Sequence, residues 1–304
     1  MILMISGRTD IIAYYYPWLK KRIDEGYVDT RNPFNPKQVY RYKFEDVDAL
    51  MLCTKNPLPL LEEITPILKF PTILHVTLTP YGKDLEPNVP NKMKIIEAVK
   101  KLSAILGKDN IVIRYDPIVI NEKYTISQHG KSFDHLVSLL HPYVNRFIIS
   151  FVDEYKNTKA HHIQKVNEWQ MQKIGKVFSE TIKKYQVSVQ TCAEVVDLSE
   201  YGIQKGECLS KKDLETLLGR LEDWEIDDYK REACRCILTK DIGAYNSCLH
   251  LCKYCYANYD AETVKRNMKL HNPNSPLLLG DVEEGMKIHE AVQKSWRNGQ
   301  FSLF

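Results

Sequence analysis

The chain has 304 residues, of which 44% are hydrophobic and 27% charged, a balance that excludes a disordered chain. Its 42 basic and 39 acidic residues leave a formal charge of +3, too even for a dedicated nucleic-acid coat. At this length a chain buries roughly three quarters of its unfolded surface, so the core needs no disulfide support.

The first apolar run, about residues 2–6, reads as a strand and leads into Ser6-Gly7-Arg8-Thr9-Asp10. It is too short, and lacks the basic flank, for a signal peptide, and no later run is long enough to span a membrane; a cytoplasmic protein is expected. A second strand is predicted at about 49–53, followed by Thr54-Lys55-Asn56-Pro57 and a helical pattern at 57–68. A third, at about 73–78, carries Thr77 and Thr79. The Pro-containing stretches 33–37 and 87–91 read as connections. A helix at 92–106 follows, with Ile95, Ile96, Val99 and Leu102 at steps of three and four. Further strands are predicted at about 111–115, 147–152 and 187–192, with helices at 131–141, 160–184 and 210–221.

Strands alternating with helices predict repeated βα units, and the nearly continuous apolar strands predict a sheet buried on both faces. Polar groups follow each strand: Arg114-Tyr115-Asp116, Asp153-Glu154, and Gln190, Cys192 and Glu194. Parallel β/α barrels place their active sites at strand C-terminal ends, because those ends open on one face. The fold expected is therefore α/β, a complete or partial TIM-type β/α barrel. It would be a single domain over 1–304, with 192–236 as an auxiliary-metal subregion and 282–304 as a C-terminal helix and tail. Arg114, Asp116, Asp153 and Glu194 are expected at the mouth, as substrate contacts or as structural ion pairs. His161-His162 and Lys183-Lys184 read as solvated positions.

Eight cysteines stand at 53, 192, 208, 234, 236, 248, 252 and 255. In a reducing compartment such clustering points to metal. Cys248, Cys252 and Cys255 form a C-x3-C-x2-C array. Three thiolates can hold three corners of a four-iron cluster and leave one iron open for chemistry. A structural zinc site wants four closed ligands, and His250 is too crowded to serve as the fourth. The spacing also fits one face of a helix, which would make the three thiols structural.

With Tyr254 before the third cysteine, this array resembles the C-x3-C-x-aromatic-C motif of the radical S-adenosylmethionine (SAM) superfamily. The run Asp241–Asn258 is similar to the spore photoproduct lyase branch. So are Ser6-Gly-Arg-Thr-Asp-Ile11, Leu52-Cys-Thr-Lys55, His75-Val-Thr-Leu-Thr79 with Leu85-Glu-Pro87, and Arg114-Tyr-Asp-Pro-Ile118. In that branch the cysteines precede these strands; here they follow, so the chain looks circularly permuted. In that order it also resembles domain-of-unknown-function family 1848.

The resemblance implies reductive SAM cleavage at a 4Fe-4S cluster, a 5′-deoxyadenosyl radical, and a flavodoxin- or ferredoxin-type electron donor. It implies that Thr9, Asp10, Lys55 and Thr77 line the SAM site, with Tyr254 and Tyr256 flanking cluster and adenosine. The lyase's hydrogen-donor cysteine falls at Gly7; Cys53, on the same strand face as Lys55, is a substitute donor or a buried structural thiol. Cys192, Cys208, Cys234 and Cys236 are expected to hold a second 4Fe-4S cluster, with zinc as the alternative. Two rival functions remain: nucleic-acid lesion repair, and a non-catalytic zinc or iron–sulfur protein. The two aromatics of Gly299–Phe304 suggest a docked tail.

Overall fold

The structure is a computed structural model and describes residues 1–221, 225, 234–292 and 294–297. In chain order, β1 (Ile2–Ile5), α1 (Ile11–Tyr14) and α2 (Tyr16–Glu25) lead to the pair β2 (Tyr27–Arg31) and β3 (Gln38–Lys43). Then come β4 (Ala49–Thr54), α3 (Leu58–Glu62), α4 (Thr65–Leu68), β5 (Thr72–Thr77), α5 (Lys92–Leu106) and β6 (Ile111–Ile118). These are followed by α6 (Ile126–Leu140), β7 (Arg146–Phe151), α7 (Lys156–Ala160), α8 (Glu168–Tyr185) and β8 (Ser188–Cys192). The chain continues with β9 (Ile203–Gly206), α9 (Lys211–Leu218), β10 (Lys240–Asp241), α10 (Ala261–Met268) and β11 (Lys287–Glu290).

Eight strands form one parallel sheet in the order β10-β1-β4-β5-β6-β7-β8-β9. β2, β3 and β11 make a separate three-stranded sheet. The expected closed barrel is not formed: among the described residues no pairing joins the edge strands β9 and β10. β10 has two residues and β9 four, and residues of the connection between them pack on the sheet face that a closed barrel would have turned inward. The C-terminal helix expected within 282–304 is also absent from the described residues there, which hold the exposed strand β11; residues 298–304 lie outside the described ones.

The alternation of a strand sends neighbouring side chains to opposite faces. Leu3, Ile5, Leu50, Leu52, Leu74, Val76, Ile111, Ile113, Phe147 and Ile149 face the helices and join one core with residues of α2, α5, α6 and α8. Helix α5 shows the local logic. Asn91 caps it by accepting from the amides of Met93 and Lys94, and Gly107, at φ 85°, ends it. Ile95, Ile96, Val99 and Leu102 are fully or almost fully buried, each worth about 1.5–3 kcal/mol of transfer.

The second face carries Ile2, Ala49, Met51, Ile73, Val112 and Ile148. In a closed barrel such residues would pack against one another. Here Leu209, Leu214, Leu221, Ile237 and Trp296 cover them. The connection from β9 to β10 therefore fills the space that closure would have filled. No helix among the described residues is long and apolar enough to cross a membrane.

Candidate cysteine centres

The loop after β10 bears Cys248, Cys252 and Cys255. Asn246 and Leu251 adopt φ 55° and 53°, a left-handed conformation that Asn tolerates well and Leu rarely takes. Side-chain amides hold the loop's carbonyls: Asn258 donates to Cys248 O at 2.8 Å, and Asn157 to Cys252 O and Cys255 O at 3.2 and 3.3 Å. Asn88 donates to Leu249 O at 2.7 Å, and the Lys253 amide to Leu85 O at 3.0 Å. The loop is thereby sewn to α7 and to the β5–α5 connection.

Cys248 and Cys252 are buried and Cys255 half-buried. Burial pushes the Cys252 thiol up to about 12, against the pull of Lys55. Burial likewise raises Cys248, and the neighbouring Asp10, Cys255 and Cys252 raise it further. The group lacks a positive partner strong enough to make it thiolate, and a metal, were one bound, would supply that charge.

His250 sits between the first two cysteines but is no ligand. Its Nε2 is hydrogen-bonded to Asp10 Oδ2 at 2.9 Å and its Nδ1 to the Tyr14 hydroxyl at 2.9 Å, so both ring nitrogens are engaged. Asp10 is a clamp as well as a helix cap. It accepts from the Ala13 amide at 3.0 Å, the Thr54 hydroxyl at 3.0 Å and the Lys55 amide at 2.7 Å. Protein donors fill the carboxylate, so Asp10 ties the ends of β1 and β4 to the cysteine loop. Thr9 behaves differently: it is 6% exposed and its Oγ1 has no hydrogen-bond partner.

Lys55 meets Glu86 at 2.8 Å and lies 5.4 Å from the centre of the Tyr254 ring. Glu86, 1% exposed, also accepts from Thr79 Oγ1 at 2.7 Å, from Lys92 and from the Tyr254 hydroxyl. Burial opposes its charge, but Lys55 and Lys92 hold its carboxyl at about 2. The Tyr256 hydroxyl donates to Gly7 O. Thr77 closes β5, paired in register with Arg114. Asp10, Lys55 and Tyr254 thus gather with the triad, and Thr9 directly precedes Asp10. The sequence reading assigned no role to Glu86 or Lys92; the Leu85-Glu86-Pro87 run was the available signal for the first.

At Gly7 the Asp241 carboxylate fills the place of a side chain. The Gly7 amide donates to it at 2.8 Å, and a Cβ would stand 2.8 Å from its Cγ.

On the second sheet face, Cys53 of β4 is aligned with His75 of β5. Burial raises the Cys53 thiol to about 12, with Arg114 pulling the other way. His75 is wholly buried and neither ring nitrogen has a partner. Sequence reasoning passed over it, although its alternation with Ile73 places it on this face. Arg114 pairs with Asp116 at 2.9 Å, and Ser150 donates to the same carboxylate. This is the structural ion-pair alternative. Glu194 accepts from the Phe151 amide at 2.8 Å and shares with Asp153 a cleft of about 520 Å³. His161 and His162 are exposed at the end of α7.

The remaining cysteines converge at the end of β8. The sulfur atoms of Cys192, Cys208 and Cys236 all lie within 4.8 Å of one another. Cys236 is 2.9 Å from Cys208 and 3.9 Å from Cys192, and it also hydrogen-bonds with Cys234. All are free thiols. Donation from Cys192 and Cys208 holds the Cys236 thiol at about 7, below the usual range. Of the four cysteines expected to hold a second metal centre, three converge closely enough for one ion, and Cys234 lies outside that group beside Cys236.

Residues 2–257 match the family described as "Domain of unknown function (DUF1848)", and the chain belongs to that family. No curated protein matches. Among solved structures, a candidate alpha-L-fucosidase from Bacteroides thetaiotaomicron VPI-5482 is 13% identical over 57% of this chain and 72% of its own. Its TM-score of 0.22 carries no argument about fold or activity.

Proposed function

We propose that this member of the DUF1848 family is a radical SAM enzyme, in which Cys248, Cys252 and Cys255 hold a 4Fe-4S cluster. One observation carries the reading: the C-terminal ends of β1 and β4 and the connection after β5 bring Asp10, Lys55 and Glu86 to a three-cysteine loop. The donor set fits. Three thiols, with the nearby imidazole of His250 already engaged, leave a cluster one corner for another ligand. The unpartnered Oγ1 of Thr9 and Oδ1 of Asn258 are buried acceptors that a bound group would satisfy.

The chemistry such a cluster supplies when bound is one-electron cleavage of SAM, with a 5′-deoxyadenosyl radical as product. The chain's own residues bind and shield. Glu86 keeps Lys55 and Lys92 charged and oriented, and so holds ammonium groups ready for a carboxylate. Tyr254, 5% exposed, screens that ion pair from water. Asp10 and His250 fix the loop's position without ligating.

Circular permutation accounts for the sheet order, in which β10, the strand that leads into the cysteine loop, lies beside β1. A lyase-type donor thiol does not fit at position 7, where Asp241 occupies the space. This weighs against photoproduct repair, although nucleic acid remains open as a substrate.

The test is direct. Reduced, iron-loaded protein incubated with SAM should release 5′-deoxyadenosine and methionine, and Cys252→Ala should release neither. Wild-type protein with a full cluster that yields no 5′-deoxyadenosine under strong reductant would sink the reading.

A further inference from the structure

The two cysteine groups differ in spacing. Around a zinc ion with Zn–S bonds near 2.3 Å, tetrahedral thiolates stand about 3.8 Å apart. Cys236 and Cys192 are 3.9 Å apart, Cys236 and Cys208 2.9 Å, and the three sulfurs all fall within 4.8 Å. Among the described residues no other three metal-ligating groups come that close, and Cys248, Cys252 and Cys255 stand further apart. Wider spacing suits thiolates at the corners of a four-iron cube, where several metals lie between them. Tight spacing suits one ion.

We propose that Cys192, Cys208 and Cys236, which lie within 4.8 Å of one another, hold a single zinc ion with Cys234, hydrogen-bonded to Cys236 but outside that group, as the fourth thiolate, so that the site bridges the two edges of the open sheet. Cys192 ends β8, Cys208 lies two residues past β9, and Cys234 and Cys236 precede β10. One ion would therefore tie β8, β9 and β10 across the gap that backbone hydrogen bonds do not close. The surroundings fit a closed structural site. Leu209, Leu221 and Ile237 pack in the same apolar cluster, in which Cys192 and Cys236 are buried and Cys208 and Cys234 half-buried. The Cys208 amide donates to Cys236 Sγ at 3.2 Å, a contact that stabilises a metal-bound thiolate. Arg146, paired with Asp213 at 2.7 Å, also donates to Cys208 O at 3.2 Å and so fixes the backbone that carries this thiol. The proposal is independent of the radical reading, since neither site shares a ligand with the other.

The experiment measures zinc and iron per chain in protein as isolated, for wild type, Cys252→Ala and Cys234→Ser/Cys236→Ser. One zinc is expected in wild type and in Cys252→Ala, and none in the double variant. If the double variant does not fold, the wild-type chain is titrated with a mercurial while a colorimetric chelator reads released zinc. Loss of one zinc as four thiols react supports the site. Wild-type protein with about eight irons and no zinc overturns it in favour of a second cubane. Full zinc retained by a folded double variant also overturns it.

Discussion

Glu86 carries the largest electrostatic load at the mouth, because a single buried carboxylate faces two lysines. Its folded pKa, about 2, is below the ordinary value of 4.5. The stabilisation is therefore fully present above about pH 4.5 and is lost as pH falls through about 2. The difference corresponds to on the order of 3 kcal/mol. Glu86→Gln leaves both lysines without their counter-charge, and denaturant unfolding at pH 7 should show a loss of about 3 kcal/mol. A loss below about 1 kcal/mol would show that the lysines find other partners. At Gly7 the prediction runs against rescue. Gly7→Cys forces a Cβ against Asp241 and should lower stability by about 1–3 kcal/mol in the same assay, without adding a usable thiol. At this scale the sequence was readable where a residue carries its own chemistry. The cysteines stand out by type and spacing, whereas Lys55 and Thr9 were marked only by the resemblance to the radical SAM superfamily. Glu86 and His75 do not, because their roles come from burial and from partners tens of residues away.

Among the elements, the small helix α1 matters through its cap. Asp10 caps it while also holding Thr54, the Lys55 amide and His250. Asp10→Ala should cost about 1 kcal/mol for the cap alone. It also frees the imidazole strut, so iron should leave the variant faster than wild type under a chelator. Equal iron loss in the two would show that Asp10 does not position the loop. Four of the six predicted strands from β1 to β8 (β1, β4, β5 and β7) were legible as largely apolar, largely buried runs, whereas β6 is interrupted by Arg114 and Asp116 and β8 reads Ser-Val-Gln-Thr-Cys with an exposed start. Helix α5 matched its periodic pattern from end to end. The predicted 160–184 helix begins instead at Glu168, where Asn167 and Gln170 form a capping box. The hairpin β2–β3 went unread, since a loop with two prolines separates its strands. β9 and β10 are too short to show any period.

At the scale of the molecule, the sequence pattern indicates a barrel and the structure shows an open parallel sheet. Alternation along strands reports which residues are buried, not what covers them. Here the second face is covered by the β9–β10 connection, a long-range packing choice that no local period encodes. The same connection delivers three of the four thiols proposed for the zinc site, which explains why an edge gap and a metal candidate occur together. The order of the sheet puts β10 beside β1, so the cysteine loop reaches the mouth although it lies late in the chain. The central claim, that this mouth holds a four-iron cluster with one open iron, is tested most directly by electron paramagnetic resonance of the anaerobically isolated, dithionite-reduced protein, with iron and sulfide counted on the same sample. The account predicts about four irons and four sulfides per chain, and a reduced-cluster signal that changes when SAM is added and vanishes in Cys252→Ala. A sample that takes up no iron on reconstitution, or a cluster signal that SAM leaves unchanged, would contradict it.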